Sequence, residues 1–306
     1  MKTDITTLWD LSKEQMDHLF ASAANWKKRR AAGITDLPLS GRIVGLMFDK
    51  PSTRTRVSFE AAMAQMGGMP SFINVKDTQI IRNEPIPDTA RVLDRYLDAL
   101  VVRTYSQDLL NELAAASSIP VINALTDLHH PCQVLSDILT VMEKKGGYEN
   151  VRIAWVGDGN NVAHSWIDAA AILGLDLILA CPASHFPMDR IVKTAQEKGR
   201  GTIRVVTDPR EAAEKADVIY TDVWASMGQE SESHIRRKAF AGYMVDRKLV
   251  SLAQKDVLVM HCLPAHRGEE IEAEVLEGKH SVVWDQAENK MHMHKAILEA
   301  LILTWR

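Results

Sequence analysis

Short apolar runs alternate along the chain with longer segments whose apolar residues recur at helical spacing. Such runs are typical of buried strands in a parallel sheet, and the segments between them are typical of the helices that cover it. The predicted strands of the first half are Ile43–Phe48, 72–75, 100–103 and 121–124. Those of the second half are Arg152–Val156, 177–181, 203–206, 218–220, 257–260 and 281–284.

Helical patterns occupy both ends and the middle of the chain. Residues 12–15 form a capping-box pattern, and apolar residues follow it at helical spacing, which predicts an amphipathic helix. A second helical pattern, 133–143, ends at the Lys-Lys-Gly-Gly turn 144–147, where we place the domain boundary. The last segment, 287–306, is helical again. Its pattern allows packing against either domain, and we predict that it returns to the first.

The alternation predicts an α/β protein with two doubly wound parallel-sheet domains joined by a helix. The first domain is predicted to span 1–145 with the returning helix 287–306, and the second to span 146–286. Ligands of open parallel sheets bind beyond the carboxyl ends of the strands, and most unusual polar clusters follow a predicted strand. These clusters lie at 49–56, 103–104, 126–133, 157–161, 222–228 and 261–267. They predict a ligand cleft between the domains.

Composition and charge exclude several classes of function. The 306 residues are 46% hydrophobic and 25% charged, as in ordinary globular proteins. A net charge of −4 argues against nucleic acid and anionic membranes as partners. No apolar run approaches the roughly 20 residues that cross a bilayer, and the N-terminus lacks the apolar core of a signal peptide. Three widely spaced cysteines, Cys132, Cys181 and Cys262, do not suggest a disulfide framework, so a cytoplasmic location is predicted.

The segment 49–56 combines anion-binding side chains with a predicted helix start. Ser52, Thr53 and Thr55 supply hydroxyl groups, and Arg54 supplies a guanidinium that can bind phosphate through two parallel hydrogen bonds. Free backbone N–H groups and the helix dipole favour an anion at the same place. The glycines and the lysine of a P-loop are absent. The alternative is a helix cap with exposed arginines, but a cap needs fewer donors.

Four other polar residues follow predicted strands. Arg103 and His130 could flank a carbonyl oxygen on which negative charge develops, although a histidine there can also be a structural hydrogen-bonding group. Asp222 offers the negative charge that an amine substrate needs. Cys262 directly follows His261, but adjacent residues of a strand point to opposite faces. A thiolate nucleophile activated by that histidine is therefore not predicted.

The histidines and cysteines do not predict a metal site. The clusters 129–132 and 261–266 lie far apart in the sequence, and neither has the short pair spacing of zinc ligands. The turn 157–161 lacks the third glycine of a dinucleotide fingerprint, with Val162 in its place. We therefore predict neither a required metal nor a cofactor.

Four motifs together resemble the aspartate/ornithine carbamoyltransferase family. They are Ser52-Thr53-Arg54-Thr55-Arg56 with Ser58-Phe59-Glu60, His130-Pro131-Cys132-Gln133, His261-Cys262-Leu263-Pro264, and the segment 222–228. The last two are similar to the ornithine branch of that family. The resemblance spans essentially the whole chain. It implies transfer of the carbamoyl group of carbamoyl phosphate to the side-chain amine of ornithine, a reaction of arginine metabolism whose direction in the cell stays open.

The resemblance also implies which residues form the site. The carbamoyl phosphate set is Ser52, Thr53, Arg54, Thr55, Gln79, Arg103, His130, Gln133, Cys262, Leu263 and Lys290. The ornithine set is Asn161, Asp222, Ser226, Met227, Cys262 and Leu263. The catalytic residues among them are Arg103, His130, Asp222 and Cys262. A cis peptide bond between Leu263 and Pro264 is implied as well.

Gln79 matches a family residue that reaches the phosphate in a neighbouring subunit, which implies a homotrimer or a multiple of trimers. Two positions depart from the family pattern. Asn83 stands where glycine is usual, which leaves the conformation of its loop open. Lys290 stands where an arginine contacts carbamoyl phosphate. Lysine keeps the charge but loses the planar fork, so weaker phosphate binding is predicted.

Three alternatives stay open at this point: a carbamoyltransferase for putrescine, one for an acylated ornithine, and a non-catalytic carbamoyl phosphate-binding paralogue. The segment 226–228 argues against putrescine, which has no α-carboxylate to be recognised. Loss of catalysis is opposed by the retention of Arg54, Arg103, His130, Asp222 and Cys262. Only Lys290 favours the non-catalytic paralogue.

Overall fold

The computed structural model describes residues 2–225 and 233–305, except for the side chain of Ser233. Its contacts divide the chain into two compact units. Unit 1 comprises Met1–Leu139 and Glu288–Arg306, and unit 2 comprises Thr140–Ala287. The predicted ornithine-binding residues Ser226 and Met227 lie outside the described residues.

A four-stranded parallel sheet forms the centre of unit 1. Its strands are β1 (Ile43–Phe48), β2 (Met69–Asn74), β3 (Ala99–Arg103) and β4 (Val121–Leu125), in the order β2-β1-β3-β4. Its helices are α1 (Lys13–Ala31), α2 (Thr53–Gln65), α3 (Ile86–Leu93), α4 (Gln107–Ala116) and the start of α5 (Pro131–Lys145). The strand order reverses between β1 and β3, and ligands of such sheets bind beyond the carboxyl ends of the strands at this point.

Unit 2 contains a five-stranded parallel sheet of the same kind. Its strands are β5 (Arg152–Val156), β6 (Asp176–Ala180), β7 (Thr202–Val206), β8 (Val218–Thr221) and β9 (Leu258–His261), in the order β7-β6-β5-β8-β9. Its helices are α6 (Asn161–Leu173), α7 (Asp189–Lys198), α8 (Pro209–Ala213), α9 (Ser233–Ala239), α10 (Arg247–Val250) and α11 (Ala273–Leu276). The corresponding switch point lies between β5 and β8. The predicted α/β class with two parallel sheets is confirmed.

Local sequence explains where the helices of unit 1 begin. Ser12 accepts a hydrogen bond from the backbone N–H of Gln15, whose side chain accepts one from Ser12 in return, so the predicted capping box is present at α1. Ser52 caps α2 by accepting a hydrogen bond from the N–H of Thr55. The cap places the hydroxyl groups of Ser52 and of the first turn of α2 beyond the carboxyl end of β1.

The C-terminal helix returns to unit 1, as predicted. It is α12 (Val283–Glu299), followed by a π-helical turn, Ala300–Thr304. Glu299 accepts a hydrogen bond from the indole Nε1 of Trp26 in α1 at 3.0 Å. The predicted strand 281–284 is wrong, because Ser281 makes only an isolated bridge to Val259 and the helix has begun by Val283. So short an apolar run does not distinguish a strand from the start of a buried helix.

The other predicted strands are present, with small shifts at their ends. The largest shift is at β2, which begins at Met69 instead of residue 72. This edge strand has no fully buried residue, so it carries a weaker apolar signal than the buried strands do. Within residues 2–225 and 233–305, no helix is long and apolar enough to cross a membrane.

Candidate active site

Ser52 and the first turn of α2 present anion donors at the edge of the unit 1 sheet. Ser52 Oγ accepts a hydrogen bond from the Thr55 N–H at 3.3 Å, which fixes the first turn of α2. Thr53 and Arg54 are exposed, whereas Thr55 is buried. No ion pair ties the Arg54 guanidinium within the part of the chain that the structure describes. It therefore needs no rearrangement of the protein to meet an anion at the helix N-terminus.

Arg56 lies two residues further along α2 and is held differently. Its Nε donates to Glu60 Oε1 at 2.8 Å, and its guanidinium carbon lies 3.6 Å from the ring centre of Phe72. A pocket of about 580 Å³ at the ends of β1 and β2 is lined by Arg56 and Phe72 together with Ser52 and Thr53. This pocket lies on the β2 side of β1, away from the switch point between β1 and β3. The free donors and the switch point of the sheet, and not the volume of this pocket, indicate where an anion binds.

A buried polar cluster lies beyond β3 and β4 in unit 1. Arg103 ends β3, His130 directly precedes α5, and Gln133 lies in the first turn of α5. Lys290 Nζ in α12 donates to Gln133 Oε1 at 2.8 Å. All four side chains are less than a tenth exposed. The structure thus brings together four residues of the predicted carbamoyl phosphate set that are scattered along the sequence.

His130 is neutral in this cluster. Burial lowers the pKa of His130 well below its ordinary value, and the charges of Lys290 and Arg103 lower it further. A neutral imidazole can still donate one hydrogen bond, while Arg103 supplies positive charge beside it. Together they can stabilise negative charge on an oxygen atom.

His294 was not predicted as a site residue, yet it belongs to the same cluster. Its ring stacks on Phe59 with centroids 3.6 Å apart, and its Nδ1 lies 3.0 Å from Ser58 Oγ. The Ser58 hydroxyl donates to the carbonyl of Thr55, so it accepts from His294, and Nε2 is left as a buried acceptor. Burial and the Lys290 charge lower the pKa of His294 well below its ordinary value. No local motif of the sequence indicates this contact between α2 and α12.

Asp222 is the centre of a second polar cluster, at the carboxyl ends of β5, β8 and β9 in unit 2. Its Oδ1 lies 2.9 Å from Cys262 Sγ, and its Oδ2 accepts from Asn160 Nδ2 at 2.8 Å. Asn160 also caps α6 by accepting hydrogen bonds from Val162 and Ala163. Asn161, the predicted ornithine contact, is the first residue of α6. Asn160 holds the Asp222 carboxylate, a role that the sequence did not reveal.

His261 turns away from Cys262, in agreement with the exclusion of a thiolate–histidine pair. Its Nδ1 accepts from the backbone N–H of Leu263 at 2.8 Å, so the proton is on Nε2, which lies 3.2 Å from Glu270 Oε1. Cys262 faces Asp222 instead. The peptide bond between Leu263 and Pro264 is cis, as the resemblance implied.

A buried ion pair anchors the chain on both sides of residues 226–232. Arg236 in α9 donates to Asp158 Oδ2 at 2.9 Å and to the carbonyl of Trp224 at 2.8 Å. Burial raises the pKa of Asp158 to about 6, and the opposing effect of Arg236 does not cancel this. The sequence gives no sign of this pair, because Asp158 and Arg236 lie far apart along the chain.

Gln79 lies in the 3-10 helix Gln79–Arg82 and is exposed. Asn83, which replaces the usual glycine, caps that turn with φ of +65°. Asparagine adopts this left-handed conformation more readily than other non-glycine residues. The substitution therefore keeps a glycine-like turn next to Gln79.

Two groups of side chains lie close enough to share a cation among the described residues: Asp222, His261 and Cys262, and separately His266, Glu269 and Glu270. In the first group, the hydrogen bonds already described occupy both nitrogens of His261 and the thiol of Cys262. In the second, Glu269 pairs with Arg237 at the surface. Hydrogen bonding accounts for the first group, and the absence of a required metal stays a prediction.

Comparison with known proteins matches both units. A family model described as the carbamoyl-P binding domain of aspartate/ornithine carbamoyltransferase matches residues 3–143. Another, described as the Asp/Orn binding domain of the same family, matches residues 149–301.

Individual relatives agree with the family models over nearly the whole chain. A curated protein from Desulfotalea psychrophila, named ornithine carbamoyltransferase, is 54% identical over 99% of this chain and 100% of its own length. The solved ornithine carbamoyltransferase of Pyrococcus furiosus is 46% identical, with a TM-score of 0.94 over 98% of this chain and 96% of that one. The anabolic ornithine carbamoyltransferase of Campylobacter jejuni is 37% identical, with a TM-score of 0.93 over both full chains.

Proposed function

The chain belongs to the aspartate/ornithine carbamoyltransferase family, and from this we propose that it transfers the carbamoyl group of carbamoyl phosphate to the δ-amine of L-ornithine. The products are L-citrulline and phosphate. The observation that carries the choice of ornithine is the buried carboxylate of Asp222 beside Cys262. A carboxylate can hold and orient an amine, whereas aspartate, with two carboxylates of its own, would be repelled by it.

In this proposal the phosphate is bound by Ser52 and the first turn of α2, and the carbamoyl group by the buried cluster of unit 1. Ser52, Thr53, Arg54 and Thr55 donate to the phosphate oxygens, which the exposed donors and the helix N-terminus favour. Gln79 of a neighbouring subunit and Lys290 add to the phosphate set. The carbamoyl set is Arg103, His130 and Gln133 with Cys262 and Leu263.

Ornithine is assigned to residues of unit 2. Asp222 binds the side-chain amine, with Cys262 and Leu263 alongside it. Asn161, Ser226 and Met227 bind the amino-acid end; the last two lie outside the described residues. The assignment is supported by the match of residues 149–301 to the Asp/Orn binding domain.

The chemical step is attack of a neutral amine on the carbamoyl carbon. A lysine-like amine has a pKa near ~10.4, so it must lose a proton first, and the cations of the carbamoyl phosphate set favour the neutral form as it approaches. Negative charge then grows on the carbamoyl oxygen, where Arg103 and neutral His130 stabilise it. The carbon–nitrogen bond forms, the bond to the bridging oxygen breaks, and phosphate leaves with the proton that the attacking nitrogen gives up. Positioning and electrostatics supply the rate enhancement.

We further propose a homotrimer, or a multiple of trimers, in the cytoplasm, acting in arginine biosynthesis. The exposed Gln79 turn supports a shared site, and the exposed apolar side chains Met69 and Phe72 on the edge strand β2 offer surface for contact with another subunit. The three cysteines are free thiols, which fits a reducing compartment.

The test is citrulline-type product formation from carbamoyl phosphate with four amines side by side: ornithine, putrescine, N-acetylornithine and aspartate. Turnover selective for ornithine supports the proposal. Selectivity for putrescine or N-acetylornithine would move the chain to a rival carbamoyltransferase activity. Phosphate-competitive binding of carbamoyl phosphate without turnover of any amine would identify a non-catalytic paralogue.

A further inference from the structure

A chain of buried hydrogen bonds in unit 1 runs from Lys290 through Gln133 to Asp137. Lys290 Nζ donates to Gln133 Oε1, and Gln133 Nε2 donates to Asp137 Oδ1, each at 2.8 Å. Gln133 and Asp137 are one turn apart in α5, whereas Lys290 comes from α12. All three residues are buried: Lys290 is 5% exposed, Gln133 is 3% exposed and Asp137 is 0% exposed.

The two charged neighbours determine the orientation of the Gln133 amide. An ammonium group can only donate hydrogen bonds, and a carboxylate can only accept them. The amide oxygen must therefore face Lys290, and the amide nitrogen must face Asp137. A flipped amide would place N–H against an ammonium and oxygen against a carboxylate in a buried region, where such mismatches are costly.

The fixed amide still has hydrogen-bonding capacity for a ligand. Gln133 Oε1 has two lone pairs, and Lys290 uses one of them. The carbamoyl group carries an NH₂ donor, whereas an acetyl group has a methyl group of similar size in the same place. A site with a fixed acceptor rejects the analogue that lacks the donor, because the acceptor is then left unpaired.

Lysine alone does not fix the plane of this amide. Its ammonium is a point charge with equivalent donors, so the Gln133 amide could pivot about the Lys290 contact. The bond from Gln133 Nε2 to Asp137 supplies the second fixed point. Asp137 thereby restores an orientation that the planar fork of an arginine at position 290 could impose directly.

We propose that Asp137 is a positioning residue that makes the site selective for carbamoyl over other acyl groups. It acts by holding the acceptor Oε1 of Gln133 toward the carbamoyl nitrogen. This inference rests on the proposed function, in which Gln133 contacts the carbamoyl group.

The test measures binding of three anions by calorimetry: phosphonoacetamide, 2-oxopropylphosphonate and inorganic phosphate. The first two are stable analogues that differ only by NH₂ against CH₃ beside the carbonyl. The wild type should prefer the amide, and Asp137→Leu should reduce the amide-to-ketone preference about tenfold while phosphate binding is unchanged. Asp137→Asn, which keeps an acceptor without the charge, should give an intermediate loss and covers the case in which Asp137→Leu does not fold.

Two further variants distinguish positioning from a general structural effect. In a Gln133→Leu background, Asp137→Asn should cause no additional loss of preference, since the group it positions is gone. Ser136→Ala is the matched control, because Ser136 is equally buried and donates to the Gln133 backbone carbonyl, not to the amide. Its preference should equal that of the wild type.

Each contrary outcome is distinct. Equal losses for all three anions, an undiminished preference in Asp137→Leu, or a further loss in the Gln133→Leu background would overturn the positioning role. Failure of the wild type to bind any of the three anions would instead overturn the proposed function itself.

Discussion

Arg54 and Arg56 provide a matched pair on one helix, because only Arg56 is held by contacts with other side chains of the described residues. Arg54 is exposed and has no ion-pair partner among the described residues, whereas Arg56 is held by Glu60 and the ring of Phe72. If Arg54 is the phosphate-binding arginine, Arg54→Ala should weaken phosphate binding strongly and leave the free energy of unfolding unchanged. Arg56→Ala should lower the free energy of unfolding and leave phosphate binding nearly unchanged.

The contacts set the expected magnitudes. A bidentate contact with phosphate provides two charge-assisted hydrogen bonds of about 1.5–3 kcal/mol each. Because Arg54 is exposed to solvent, we expect the lower end, about 3 kcal/mol in total, which is roughly a hundredfold increase in Kd. For Arg56→Ala, the i,i+4 pair and the cation–π contact together contribute about 1 kcal/mol to the free energy of unfolding.

The assay combines calorimetric titration with phosphate and urea unfolding of each variant without ligand. A lower urea midpoint at constant slope reports lost stability. Phosphate binding by Arg54→Ala nearly as tight as that of the wild type would refute the assignment of Arg54. An equally severe loss of binding in Arg56→Ala would refute it too, since the effect would then reflect general positive charge and not the donor geometry.

Three other predictions concern the two polar clusters. Asp222→Asn should raise the KM for ornithine selectively while carbamoyl phosphate binding is kept; an unchanged ornithine KM would contradict its role. Lys290→Arg should tighten phosphate binding, since arginine adds a planar fork, and calorimetry showing equal or weaker binding would refute this. Burial depresses the folded-state pKa of His130 and His294, so as pH falls below about 6.5 the unfolded chain takes up protons first and stability decreases, by about 1.4 kcal/mol per pH unit for each histidine. Urea unfolding between about pH 6.5 and 5.5 should give a shallower loss for His294→Gln than for the wild type, and equal slopes would show that His294 is not held neutral.

The fold was predictable because its signals are local. Ser12 and Gln15 form the capping box within a single turn, and β5 (Arg152–Val156) matches its apolar run at both ends. The wrong prediction of a strand at 281–284 arose because it relied on the same kind of local signal. Val282 and Val283 favour a strand locally, but the helix that begins at Val283 is stabilised by its later residues packing on unit 1.

Residue pattern alone predicted candidate site residues best where they are grouped in the sequence, and the family resemblance supplied most of the scattered ones. The donors at 52–55 form one such group, and they lie together at the start of α2. Three residues were not predicted because each contacts a residue that is distant in sequence. His294 contacts Ser58, Arg236 contacts Asp158, and Asn160 contacts Asp222. The polarity of such a residue is visible in the sequence, but its partner is not.

The substitution of lysine at position 290 shows why partners matter for function. From the sequence alone, Lys290 predicts a weakened phosphate site, because lysine lacks the planar fork. The structure adds that its ammonium contacts Gln133, which in turn contacts Asp137, so the charge of Lys290 also helps to orient an amide. Exchange for arginine would therefore change two properties at once, phosphate affinity and the dependence of acyl selectivity on Asp137. If arginine fixes the Gln133 amide by its own geometry, then Asp137→Asn should reduce the amide-to-ketone preference less in the Lys290→Arg background than in the wild type.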